Sequence, residues 1–93
     1  MHFTKRLRDR IRSGEITCSV RIWHSPRVKV GGRYEMEDGF IIVESIIPIE
    51  LSDITGDLAR LSGFDGVVDL LKTAKHGSGT KVYLVNFHYV EEA

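Results

Sequence analysis

Residues 21–34, RIWHSPRVKVGGRY, interleave Arg21, His24, Arg27, Lys29 and Arg33 with two flat side chains, Trp23 and Tyr34. Cations meet phosphates and flat rings stack on bases, so this mixture suits a surface for single-stranded nucleic acid. It equally suits a solvated loop beside one half-buried tryptophan, and spacing alone does not choose between the two. The overlapping stretch GEITCSVRIW, residues 14–23, alternates with period two. Ile16, Cys18, Val20 and Ile22 share one face, as a buried sheet face requires, while Thr17, Ser19, Arg21 and Trp23 share the other. Two hydroxyls, a guanidinium and an indole on one strand face form either a solvated surface or the wall of a polar pocket. Ser19 or Thr17 could serve as a nucleophile only beside a base brought near by the fold.

Other chemistry is thinner. His2, His24, His76, His88 and Cys18 form neither a CxxC nor an HxxxH pair, so no metal site is expected, and no motif calls for a cofactor. HGSGTK at residues 76–81 has the glycines and lysine of a phosphate loop. It leads from a helix into a strand, however, the reverse of the strand-to-helix order a phosphate loop uses. It reads as a plain connection, with Lys75, His76 and Lys81 as cations around flexible glycines. Cys18 is the single cysteine, has no partner for an internal disulfide, and lies on the apolar strand face, which argues for a buried thiol.

The elements that must position these groups follow from caps, periods and breakers. Thr4 can cap a helix over residues 5–13, with Phe3, Leu7 and Ile11 on one face and Gly14 as its stop. Strands are expected at residues 16–23 and 33–37, then a hairpin through Asp38-Gly39 into FIIVESIIPIEL, where Pro48 limits pairing. Ser52 is the expected cap of a helix over residues 53–62 with Ile54, Leu58 and Leu61 buried. Asp65 caps the next, with Val67, Val68, Leu70, Leu71 and Ala74 buried. In the last strand Tyr83, Val85, Phe87 and Tyr89 share one face. This order predicts α+β: an N-terminal helix, an antiparallel or mixed small β-barrel, and two helices before the last strand.

The 93 residues suit a single domain. Net charge is zero, yet residues 1–35 hold nine Lys or Arg against three Asp or Glu, and the remainder holds four against ten. One side of the domain is therefore expected to meet a polyanion, the alternative being a dipolar surface with no partner. The opening MHFTKRLRDR has no apolar signal core, and no run approaches the roughly 18 apolar residues of a membrane span. With the lone cysteine, these features lead to an expectation of a cytoplasmic protein without a membrane partner. Nothing in the sequence speaks to oligomeric state.

GEITCSVR, then VKVGGRY, then an acidic helical stretch ending in SGF at residues 62–64, then VYLVNF at residues 82–87, resembles the ASCH domain family in order and spacing. The resemblance spans nearly the whole chain, residues 1–93, and implies a PUA-like β-barrel linked to RNA. Members include RNA-binding modules, a short branch that removes the acyl group from acetylcytidine, and some ribonucleases. That amidohydrolase branch reads Gly-x-Lys-Thr-x-Thr-x-Arg on its first strand, with a Glu before the second helix. Carried over, its Lys position is Ile16, its hydroxyls are Thr17 and Ser19, its Arg is Arg21, and its Glu falls at about Ser62. Isoleucine and serine supply neither the ammonium nor the carboxylate, which counts against acyl hydrolysis by the family's usual means.

The resemblance turns the polar face into a cleft wall. The expected function is binding RNA or a nucleotide or nucleoside. Arg21, Arg27, Lys29 and Arg33 would meet phosphates, Trp23 or Tyr34 would stack on a base, Thr17 and Ser19 would bond its edge, and Tyr83 would face them. The alternative is a small hydrolase on acetylcytidine or RNA using Ser19, Thr17 and Lys29, with Lys75, Glu15 or Glu44 as substitutes for the missing groups.

Overall fold

The computed structural model describes residues 2–74 and 79–92. Its elements are α1 (Lys5–Arg12), β1 (Cys18–Trp23), β2 (Arg33–Met36), β3 (Gly39–Ile49), a 3-10 turn (Leu51–Asp53), α2 (Gly56–Leu61), α3 (Val67–Ala74) and β4 (Lys81–Glu91). All strand pairings are antiparallel, in the order β1-β4-β3-β2. The last strand thus enters between the first and third, and the sheet curls into a half-barrel. The expected α+β class, N-terminal helix and helix pair before the last strand are all present.

The central position of β4 follows from its sequence. Val82, Tyr83, Val85 and Phe87 are buried, and Val85 and Phe87 are wholly so. Phe87 stands opposite Val43 and Tyr89 opposite Ile41 on the face that α1 covers. Phe3, Leu7 and Ile11 all reach the core as their spacing predicts, and the Phe3 and Phe87 rings meet with centroids 5.4 Å apart. Burying each such side chain contributes about 1.5–3 kcal/mol. The hydrophobic face outweighs the helix's arginine-rich composition.

Those arginines explain where the basic half of the chain goes. Arg6 pairs with Asp69, Arg8 with Glu37, Arg10 with Glu15, and Arg12 with Asp9, Asp38 and Glu91. Exposed pairs of this kind are screened by water and salt, so they matter less for stability than for matching cationic charge. Arg6, Arg8 and Arg12 thus carry part of the basic half onto carboxylates of the acidic half.

Several boundaries differ from expectation. Met36 pairs with Gly39, so the hairpin loop is Glu37 and Asp38, one residue earlier than the Asp-Gly signal suggests. Glu37 takes the positive φ of 53°, while Gly39 is a strand residue whose missing side chain admits Val90 O and the Tyr89 ring. Pro48 lies beyond the stretch of β3 that pairs with β2, an edge setting that tolerates its missing N–H. Ser52 does not cap α2: Glu50 and Asp53 form a reciprocal capping box around the 3-10 turn, and Thr55 Oγ1 accepts from Leu58 N–H at 3.1 Å instead. Leu61 and Val68 face solvent, while Ala59 and Leu70 take the buried positions of their helices. No helix among the described residues is long and apolar enough to cross a membrane.

Candidate functional site

β1 is an edge strand of the sheet, and its alternation sets Ser19, Arg21 and Trp23 opposite Val85, Tyr83 and Lys81 of β4. This is the face on which Phe3 packs, so the polar stripe is roofed in part by the segment leading into α1. Ser19 is buried and Arg21 half-buried. Arg21 Nε donates to Ser19 Oγ at 2.8 Å, and Nη2 donates to the His2 carbonyl at 2.7 Å. The guanidinium also sits over the Phe3 ring, 4.9 Å from its centroid.

These groups border a cavity of about 260 Å³ between the start of α1, the outer side of β1 and the end of α3. His2, Phe3 and Thr4 line it together with Ser19 and Arg21 of β1 and with Phe64 and Thr73. Thr4 occupies the N-cap position of α1 without donating or accepting a side-chain cap bond, so its hydroxyl is spared for the cavity. No Lys, Asp or Glu lines this cavity among the described residues.

Arg21 therefore has hydroxyl, carbonyl and aromatic neighbours but no carboxylate partner among the described residues. Burial pushes its pKa down to about 10, which leaves it charged at neutral pH. An arginine cation held off water without a counter-charge favours an incoming anion. The contact with Phe3 offsets part of this cost without neutralising the charge.

The other expected site residues fall into two groups. Trp23 and Tyr83 join Arg21: their ring centroids are 5.9 Å apart, and Tyr83 stands on the same rung as Arg21. Thr17 is exposed just before β1, its carbonyl accepting from Phe87 N–H at 2.9 Å. Arg33 and Tyr34 lie on β2, at the opposite edge of the sheet. There Arg33 covers the Phe40 ring at 4.5 Å, and Tyr34 folds its ring over Gly32, its hydroxyl accepting from Lys29 N–H at 2.8 Å. Arg27 and Lys29 are exposed in the connection between β1 and β2.

Lys29 thus belongs with the β2 edge rather than with Ser19. Glu15 pairs with Arg10, and Glu44 approaches His88 at 3.3 Å. Lys75 and His76 lie outside the described residues. Among those described, no group of three or more His, Cys, Asp or Glu is placed to hold a metal ion. At the two positions without the expected Lys and Glu, Ile16 is buried and Ser62 Oγ donates to the Leu58 and Ala59 carbonyls, both at 3.0 Å. Ile16 packs beside Gly63, where an added Cβ would lie 2.8 Å from Ile16 Cδ1 and 2.6 Å from Leu7 Cδ2.

His2, Phe3, Thr4, Phe64 and Thr73 are the cavity residues that sequence reasoning missed as site residues. Phe3 carries a signal, but its spacing with Leu7 and Ile11 reads as core, and the ring serves both. Nothing local marks the others, because the cavity joins three segments distant in sequence. No family model, curated protein or solved structure matches the chain.

Proposed function

We propose that this chain is an ASCH-type, PUA-like domain that binds RNA or a nucleotide in the cleft beside β1. The observation that carries this reading is the half-buried Arg21 cation, without a carboxylate partner among the described residues, lining a cavity with Ser19 and sharing its strand face with the half-exposed Trp23. A nucleotide supplies both complements at once, an anion for the guanidinium and a flat base for the Trp23 ring. Ligand pockets usually measure about 300–1,000 Å³. At about 260 Å³ this one suits one phosphate or one base rather than a helix.

At the positions where the amidohydrolase branch has Lys and Glu, this chain has the buried Ile16 and Ser62, whose hydroxyl donates to the Leu58 and Ala59 carbonyls. An acetylcytidine hydrolase or a ribonuclease would need a base near Ser19. The Ser19 hydroxyl oxygen instead accepts from Arg21.

Titrating the fluorescence of Trp23, the single tryptophan, with single-stranded RNA at low salt tests the proposal. Binding should weaken as salt rises. Arg21→Ala should weaken it far more than Arg8→Ala, because Arg8 is already spent on Glu37. No binding at low salt would sink the reading. Release of cytidine from acetylcytidine, or cleavage of the RNA, would replace it with the enzymatic one.

A further inference from the structure

Two rungs of the β1–β4 ladder put four side chains on one face in a checkerboard. Arg21 is opposite Tyr83, and on the next rung Trp23 is opposite Lys81. Opposed residues have Cβ atoms about 4.5–5.5 Å apart, and diagonal ones are separated by about 7–8 Å. Along one diagonal the two rings touch, with centroids 5.9 Å apart. Along the other stand two cations, neither of them ion-paired among the described residues. Trp23 is half-exposed and Lys81 exposed.

The rungs also connect two hollows. Arg21 lines the cavity beside α1, whereas Tyr83 and Lys81 line a separate groove of about 320 Å³ with Pro48, Glu50 and Leu51. Glu50 is the acidic group in that groove, and its carboxylate is engaged by the backbone N–H of Asp53 in the capping box. Tyr83, which lines the second hollow, packs its ring on Trp23.

From this arrangement we infer that the site is bipartite and reads two consecutive nucleotides of a single strand, with Arg21 on one phosphate, Lys81 on the next and a base stacked on Trp23. The inference rests on the reading of the Arg21 cleft as a nucleotide site. A strand alternates phosphate and base at the scale of one residue, and the checkerboard alternates cation and ring at the scale of one rung. A duplex would bury its bases away from Trp23, so the ligand is single-stranded.

Comparing a 5′-phosphorylated dinucleotide with a nucleoside monophosphate, in the intact chain, tests this. The dinucleotide should bind more tightly than the monophosphate and weaken more steeply as salt rises, because it engages a second cation. Lys81→Ala should bring the salt slope of the dinucleotide back to that of the monophosphate. Trp23→Ala should weaken dinucleotide binding by roughly fivefold or more, with Trp23→Phe retaining most of it. Lys81 is exposed, so its variant tests the second subsite without disturbing the core.

Equal affinity and equal slope for the two ligands would overturn the bipartite site while leaving a single-nucleotide cleft. Tighter dinucleotide binding with a slope unaffected by Lys81→Ala would overturn the role of Lys81. Failure of both ligands to bind at low salt would remove the nucleotide reading itself.

Discussion

Arg21 and Cys18 lie three residues apart on opposite faces of β1, and burial acts on them in opposite senses. Desolvation disfavours the charged form of each, lowering the Arg21 pKa to about 10 and raising that of the Cys18 thiol. The arginine remains a cation and a candidate anion ligand. The cysteine remains a protonated thiol, which is a poor nucleophile. Folded protein is therefore expected to react with iodoacetamide at pH 8 at least tenfold more slowly than protein unfolded in denaturant, as followed by mass spectrometry. A reaction as fast in the folded state would show that Cys18 is neither buried nor raised.

Among the elements, the β2–β3 hairpin tests whether steric fit or turn chemistry governs the glycine of the Asp-Gly pair. Gly39 is needed because a Cβ there would collide with Val90 O and the Tyr89 ring, which donates its hydroxyl to the Met36 carbonyl at 3.1 Å. Gly66, ahead of α3, has open space around the same hypothetical atom. Gly39→Ala should thus cost about 1–3 kcal/mol by overpacking, whereas Gly66→Ala should be neutral or stabilise by about 0.4–1 kcal/mol. Urea unfolding of the two variants measures the difference, and equal midpoints would contradict the packing argument. The same hairpin shows a limit of motif reading. Asp-Gly signals a turn correctly, but the register that decides which residue takes the positive φ is set by pairing with β4.

At the scale of the whole molecule, stability is concentrated where β4 crosses the centre. Phe87 is fully buried, pairs in register with Val43, and carries the contact with Phe3 that brings α1 onto the sheet. Phe87→Ala should cost about 3–5 kcal/mol. A domain has only about 5–15 kcal/mol in total. The variant is expected to melt far below the parent by circular dichroism, and a small shift in Tm would mean that the core lies elsewhere. The pairing of the α1 arginines acts at this scale too. It matches the four arginines of α1 with carboxylates, whereas Arg21, half-buried on β1, has no such partner among the described residues.

Periodicity by itself determined the α+β class, the faces of α1, β1 and β4, and the burial of Cys18, because these depend on which residues share a side of a helix or strand. Helix starts were less legible, since Ser52 and Thr55 have equal local claims as caps and the Glu50–Asp53 box decides between them. The tertiary structure alone decided the candidate site. It separated Arg21, Trp23 and Tyr83 from Arg33 and Tyr34 by assigning β1 and β2 to opposite sheet edges. It also brought Phe3 and Thr4 to Arg21 from a segment whose sequence announces only a helix. Local pattern carries the direction in which a side chain points. The partner it meets depends on strand order and helix docking, which belong to the chain as a whole.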